Sequence, residues 1–147
     1  MPTFILLVFF ITNLVVLIKC FSETKYKKNA FGLTTFLFPI GIFVWADGVV
    51  IAPFWMLASI TALINESAIL FLLLVALFWV VRSSGEIMYW MQQQFSPIKR
   101  NPPEKLPFYK LFHNDSIWFV YQVFWQCVLV FSLLASIYLS WLWLAPL

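Results

Sequence analysis

Three charged side chains sit inside otherwise apolar sequence: Asp47, Arg82 and Glu86. A charge at mid-bilayer costs about 2.5–3.5 kcal/mol on insertion scales, so such residues need a partner, a cavity or a nearby interface. Arg82 and Glu86 are four residues apart and share a helix face, which Tyr89 and Gln93 continue. Two chemistries fit that face. One is an internal ion pair with Arg82 reaching toward the membrane surface. The other is a polar site turned toward the interior of a helix bundle.

Asp47 lies between Trp45-Ala46 and Gly48, with no basic residue in its own apolar segment. Its place, roughly 24 Å along a straight helix from Phe31, suggests a depth similar to that of Arg82 on an antiparallel neighbour. An Asp47–Arg82 pair would neutralise both. Alternatively, Gly48 breaks the helix and leaves Asp47 as a cap for the stretch Gly48–Ile64. A longer polar pattern runs through the last apolar segment. Gln122, Gln126, Ser136 and Ser140 fall within about 80° on a 3.6-residue helix, and Ser132 borders them. Small and polar residues on one face mark helix packing in membranes, with a water-lined pathway as the functional alternative. Thr12, Asn13 and Thr61 read as hydrogen-bonding groups between helices.

The elements that must position these residues follow from composition. Of 147 residues, 63% are hydrophobic and 10% charged. Soluble domains carry about 25% charged residues, so lipid is the solvent that fits. The aromatic content, with 8 Trp and 17 Phe, agrees with the preference of Trp for bilayer interfaces. The apolar runs are continuous rather than alternating, which selects helices over barrel strands.

The expected architecture is an all-α bundle of four transmembrane helices in a single domain. The spans fall at about 2–18, 31–64, 68–91 and 117–144, with polar loops at 19–30 and 92–115. The second is too long for a simple crossing and contains Pro39, Gly41, Asp47-Gly48 and Pro53. It must be long and kinked, or broken near Asp47-Gly48. The first run lacks a basic stretch before it and a small-x-small site after it, so it is expected to be a retained span and no cleaved signal. Asn114, Asp115 or Ser116 can cap the last span. The mixed stretch Lys105–His113 could lie on the membrane surface.

Eight of the 9 basic residues fall in the two loops: Lys19, Lys25, Lys27, Lys28, Lys99, Arg100, Lys105 and Lys110. Four spans put both loops on one side, which the positive-inside rule makes the cytoplasm of a plasma or inner membrane, with both termini outside. The net charge of +3 therefore records topology, and no nucleic-acid partner is expected. The expected partners are the lipid bilayer and either further copies of the chain or another membrane protein.

No catalytic set is apparent, and no cofactor is expected. His113 is the single histidine, which argues against haem or zinc ligation by histidines. No phosphate-binding or dinucleotide glycine pattern occurs. Cys20 and Cys127 read as inert apolar thiols with no disulfide between them. Two activities remain open. One is translocation of an ion, proton or small solute past Asp47, Arg82, Glu86, Tyr89, Gln122 and Gln126. The other is a non-catalytic scaffold or assembly subunit in which the same residues make packing contacts.

Overall fold

The computed structural model describes residues 3–112 and 114–145. Pro2, placed at the start of the first span, and His113, excluded as a metal ligand, lie outside the described residues. The chain is all-α, and one isolated bridge, Leu33 to Val44, is the sole β pairing among the described residues. Four helices are long and apolar enough to cross a membrane. Contacts divide the chain into two compact units, one up to Leu74 and one from Val75 onward.

In the first unit, α1 spans Thr3–Phe21 and continues as a π-helical turn over Ser22–Tyr26. The first span thus runs past its expected end at Ile18. The extension is held by Glu23, whose carboxylate accepts from Lys19 at 3.0 Å and Lys27 at 2.7 Å, one turn to either side.

The long second apolar run is broken. Helix α2 spans Trp45–Ile64, and its 20 residues make about 30 Å, one hydrocarbon thickness. Residues 31–44 form a hairpin instead, with a 3-10 turn over Thr35–Ile40. The cause is local. Pro39 has no N–H to give a longer helix, and Gly41 turns the chain at φ 79°, a left-handed conformation suited to glycine.

Helices α1 and α2 pack antiparallel: Cys20 meets Gly48 at one end, and Phe9 meets Trp55 further along, their rings 5.9 Å apart. Leu6, Asn13 and Cys20, seven residues apart, are buried on α1. On α2 the buried residues are Gly48, Ala52, Trp55, Ala58, Ser59 and Ala62. That mostly small set lets the backbones approach, as membrane helices require in the absence of a hydrophobic driving force. Around the end of this pair, Cys20, Leu37 and Ile42 form a buried cluster with Val16, Ile40, Trp45, Val49 and Ile51 against it.

Helix α3 spans Ala68–Phe95 and passes from the first unit into the second. Its start is capped by the Ser67 hydroxyl, which accepts from the Leu70 N–H at 3.2 Å. The loop after it contains a short 3-10 turn, Pro103–Lys105, and one helical turn, α4, at Tyr109–Phe112. Helix α5 spans Ser116–Leu144, with the Asn114 side chain accepting from the Ser116 N–H at 2.9 Å. The second unit's core is Trp90, Ile117 and Trp118, surrounded by Tyr89, Leu106, Tyr121 and Trp125. Leu106, in the stretch Lys105–His113, packs half-buried against that core, whereas Phe108 and Leu111 are exposed.

Candidate functional site

In the first unit, Asp47 is the third residue of α2. Its Oδ2 accepts from the backbone N–H of Phe43 at 3.0 Å and of Val44, the residue preceding the helix, at 3.4 Å. This is the carboxylate half of a capping box, placed where the helix dipole favours negative charge. Asp47 thus has a capping role, but Gly48 does not break the helix: α2 starts at Trp45 and carries Gly48 in its interior. Asp47 stands at the entrance of a crossing, one turn from the break. Arg82 belongs to the other unit.

Glu23 is a functional-looking carboxylate that the sequence presents only as part of a basic loop. It is buried at 6% exposure between two exposed lysines. The Lys19, Glu23, Lys27 spacing of four was the available signal.

Several polar residues within the spans donate along their own helices, while the Oδ1 of the buried Asn13 has no hydrogen-bond partner. Thr12 donates to the Val8 carbonyl at 2.8 Å, Asn13 to Phe9 at 2.9 Å, Thr61 to Leu57 at 2.9 Å and Ser59 to Trp55 at 2.8 Å. The hydroxyls of Thr12 and Thr61 and the Asn13 amide thus bond one turn back, the local alternative open to short polar side chains in hydrocarbon.

In the second unit, Arg82 and Glu86 form the expected pair, Nη2 to Oε1 at 3.2 Å, with side chains 21% and 14% exposed. The second Glu86 oxygen accepts from the Trp90 indole N–H at 3.2 Å. Gln94 comes next: its amide donates to the Trp90 carbonyl at 3.3 Å and to Gln122 of α5 at 2.7 Å. The ladder thus runs Arg82, Glu86, Trp90, Gln94, Gln122. Tyr89 and Gln93 lie beside it and hold the loop instead. The Asn101 side chain donates to the Tyr89 hydroxyl, and its backbone N–H donates to Gln93 Oε1 at 3.1 Å. Lys99 closes the end of α3 by donating to the Gln93 carbonyl at 2.8 Å, and its ammonium lies 4.5 Å from the Trp118 ring centre. The Trp118 indole donates to the Asn101 carbonyl at 2.9 Å.

The stripe on α5 divides. Gln122 is half-buried in the ladder, whereas Gln126 is exposed. Ser136 is buried and donates to the Ser132 carbonyl at 2.7 Å, while Ser132 and Ser140 are half-buried. Cys20 is buried and Cys127 exposed, both as free thiols. Among the described residues no three His, Cys, Asp or Glu side chains come together as a metal site. Chemically, the arrangement holds helix ends and a loop in place. No family model matches the sequence, and no characterised protein or solved structure matches it.

Proposed function

We propose that the chain is a non-catalytic multi-pass membrane subunit, which uses α5 to dock on another membrane helix, either of a second copy or of a different protein. The observation that supports this reading is Gln126. It is exposed on a helix face shared with Val123, Val130 and Leu133, all exposed as well. A glutamine amide in hydrocarbon gains from a partner across a helix interface. Arg82, Glu86 and Gln122, by contrast, are engaged in bonds that stabilise local structure.

The proposed orientation puts the two basic loops on the cytoplasmic face of a plasma or inner membrane, with both termini outside. Single cysteines placed at Glu66 and Glu104 and labelled from outside intact cells should react only at residue 66.

A second reading, translocation of an ion, proton or small solute, is favoured by the partly buried Arg82–Glu86 pair inside a spanning helix. Two measurements on the purified protein separate the readings. Mass in lipid nanodiscs larger than one chain, together with tight proteoliposomes, supports the assembly subunit. Monomeric mass with flux that disappears in Glu86→Gln supports translocation and refutes the assembly reading.

A further inference from the structure

We infer that residues 31–44 are a re-entrant hairpin that enters the bilayer from the lysine-rich end of α1, and that its exposed aromatic and aliphatic side chains rest on lipid acyl chains. The inference rests on the four-span reading of the chain.

The first argument is surface chemistry. Phe31, Leu33 and Phe36 are 83%, 73% and 70% exposed, a cluster of large apolar groups that water would not tolerate without cost. No charged residue occurs between Lys28 and Asp47. The hairpin begins directly after Lys25, Lys27 and Lys28, the residue types that anchor a segment at a phosphate surface.

The second argument is the backbone. Non-helical chain enters hydrocarbon only where its polar groups are satisfied by protein. Here the Thr34 N–H donates to the Phe43 carbonyl at 3.0 Å, and the Thr34 hydroxyl to the Ile42 carbonyl at 2.8 Å. Leu37 donates to Thr34, Gly41 to Phe38 and Ile42 to Leu37, at 2.8, 2.9 and 3.3 Å. Trp45 and Ala46 reach back to the Gly32 and Ala30 carbonyls at 3.2 and 3.0 Å. The N–H groups of Phe43 and Val44 are taken by Asp47. The N–H groups of Gly32, Thr34, Leu37, Gly41, Ile42, Phe43 and Val44 thus have partners within the protein and do not depend on water.

The third argument is depth. The Trp55 indole N–H donates to the Ile40 carbonyl at 2.8 Å. Trp55 lies ten residues beyond the start of α2, about 15 Å down the helix, and its ring leans back by roughly one turn. The hairpin tip therefore runs alongside α2 for between about 9 and 15 Å of a crossing about 30 Å thick.

The test uses single cysteines at Leu33 or Phe36 in a Cys20→Ala, Cys127→Ala background. Each is labelled with an environment-sensitive fluorophore and reconstituted in lipid vesicles with or without bromine on the acyl chains. Phe131→Cys on α5 and Glu104→Cys in the long loop serve as lipid and aqueous references. The expected result is loss of emission at residues 33 and 36 with brominated lipid, as strong as at residue 131, and no loss at 104. Before fluorophore labelling, Leu33→Cys and Phe36→Cys should also resist a membrane-impermeant maleimide. Reaction with that maleimide places the hairpin in water and overturns the inference. Protection without bromine quenching places it against protein, a second copy or a partner, and also overturns it. If residue 131 is itself unquenched, the span assignment fails and the hairpin's insertion fails with it; quenching at 131 alone rejects only the hairpin.

Discussion

The thiol of Cys20 occupies the space that a side chain on residue 48 would need: a Cβ on Gly48 would collide with its sulfur and press on its Cβ. Both residues are fully or nearly buried, so neither can give way into lipid. Gly48→Ala should therefore destabilise the α1–α2 pair by about 1–3 kcal/mol, the usual cost of overpacking. Cys20→Ala in the same chain should recover most of that loss. Reversible unfolding in mixed micelles of the two single variants and the double variant measures the coupling; additive effects would show that the two residues do not compete for one space.

Asp47 gives a second expectation. Removing the carboxylate that holds the Phe43 and Val44 N–H groups, as in Asp47→Ala, should cost about 0.5–2 kcal/mol. Asp47→Asn keeps an acceptor oxygen and should cost less. Hydrogen exchange reads the effect locally: amides 42–45 should lose protection in Asp47→Ala, while amides in the middle of α2 keep theirs. Equal loss in both places would contradict a capping role.

The Arg82–Glu86 pair should behave as a partly buried ion pair. Either single change, Arg82→Gln or Glu86→Gln, leaves one charge without its partner and should destabilise the fold by roughly 3 kcal/mol. The double change Arg82→Met with Glu86→Leu should lie closer to the parent than either single variant does. Thermal unfolding in detergent checks the order. Because Glu86 also accepts from Trp90, Glu86→Gln should be milder than Glu86→Ala.

Gln122 and Gln126 separate folding from assembly. Gln122→Leu breaks the bond to Gln94 and should cost about 0.6 kcal/mol of stability, the average for such bonds in membranes. Gln126→Leu should leave monomer stability unchanged and shift the nanodisc mass toward one chain. An unchanged mass would count against α5 docking through this residue.

These relationships were unevenly legible in the sequence. The crossings of α3 and α5 were clear, because long apolar runs begin at Asn65-Glu66-Ser67 and Asn114-Asp115-Ser116, where side chains then cap the helices. The Arg82–Glu86 pair was equally clear, since four-residue spacing fixes a shared face. Residues 31–44 were harder. Their composition matches that of a span, and only Pro39, Gly41 and the carboxylate of Asp47 show that the backbone bonds elsewhere. Periodicity also placed Tyr89 and Gln93 in line with Glu86. It could not foresee that Asn101, from the loop beyond, would take both, nor that Trp90 would step into the ladder. The burial of Glu23 was written in its lysine neighbours, but net loop charge concealed it. The Gly48, Ala52, Ser59 and Ala62 spacing, now seen under α1, was likewise present in the sequence and became meaningful once α2 had a defined start.

The lengths of α2 and α5 bear on which membranes suit the protein. Helix α2 fits a hydrocarbon slab of about 30 Å, whereas the 29 residues of α5 extend about 43 Å. The surplus of about 13 Å is hydrophobic mismatch, which tilting or protrusion must absorb. The first turns of α5 are where protrusion is least costly. Ile117 and Trp118 are already buried by protein there, and Tyr121 stacks on Trp90 at 4.5 Å between ring centres. In a thin bilayer that end can rise from the lipid still sheathed by its own loop, and in a thicker one it can sink back.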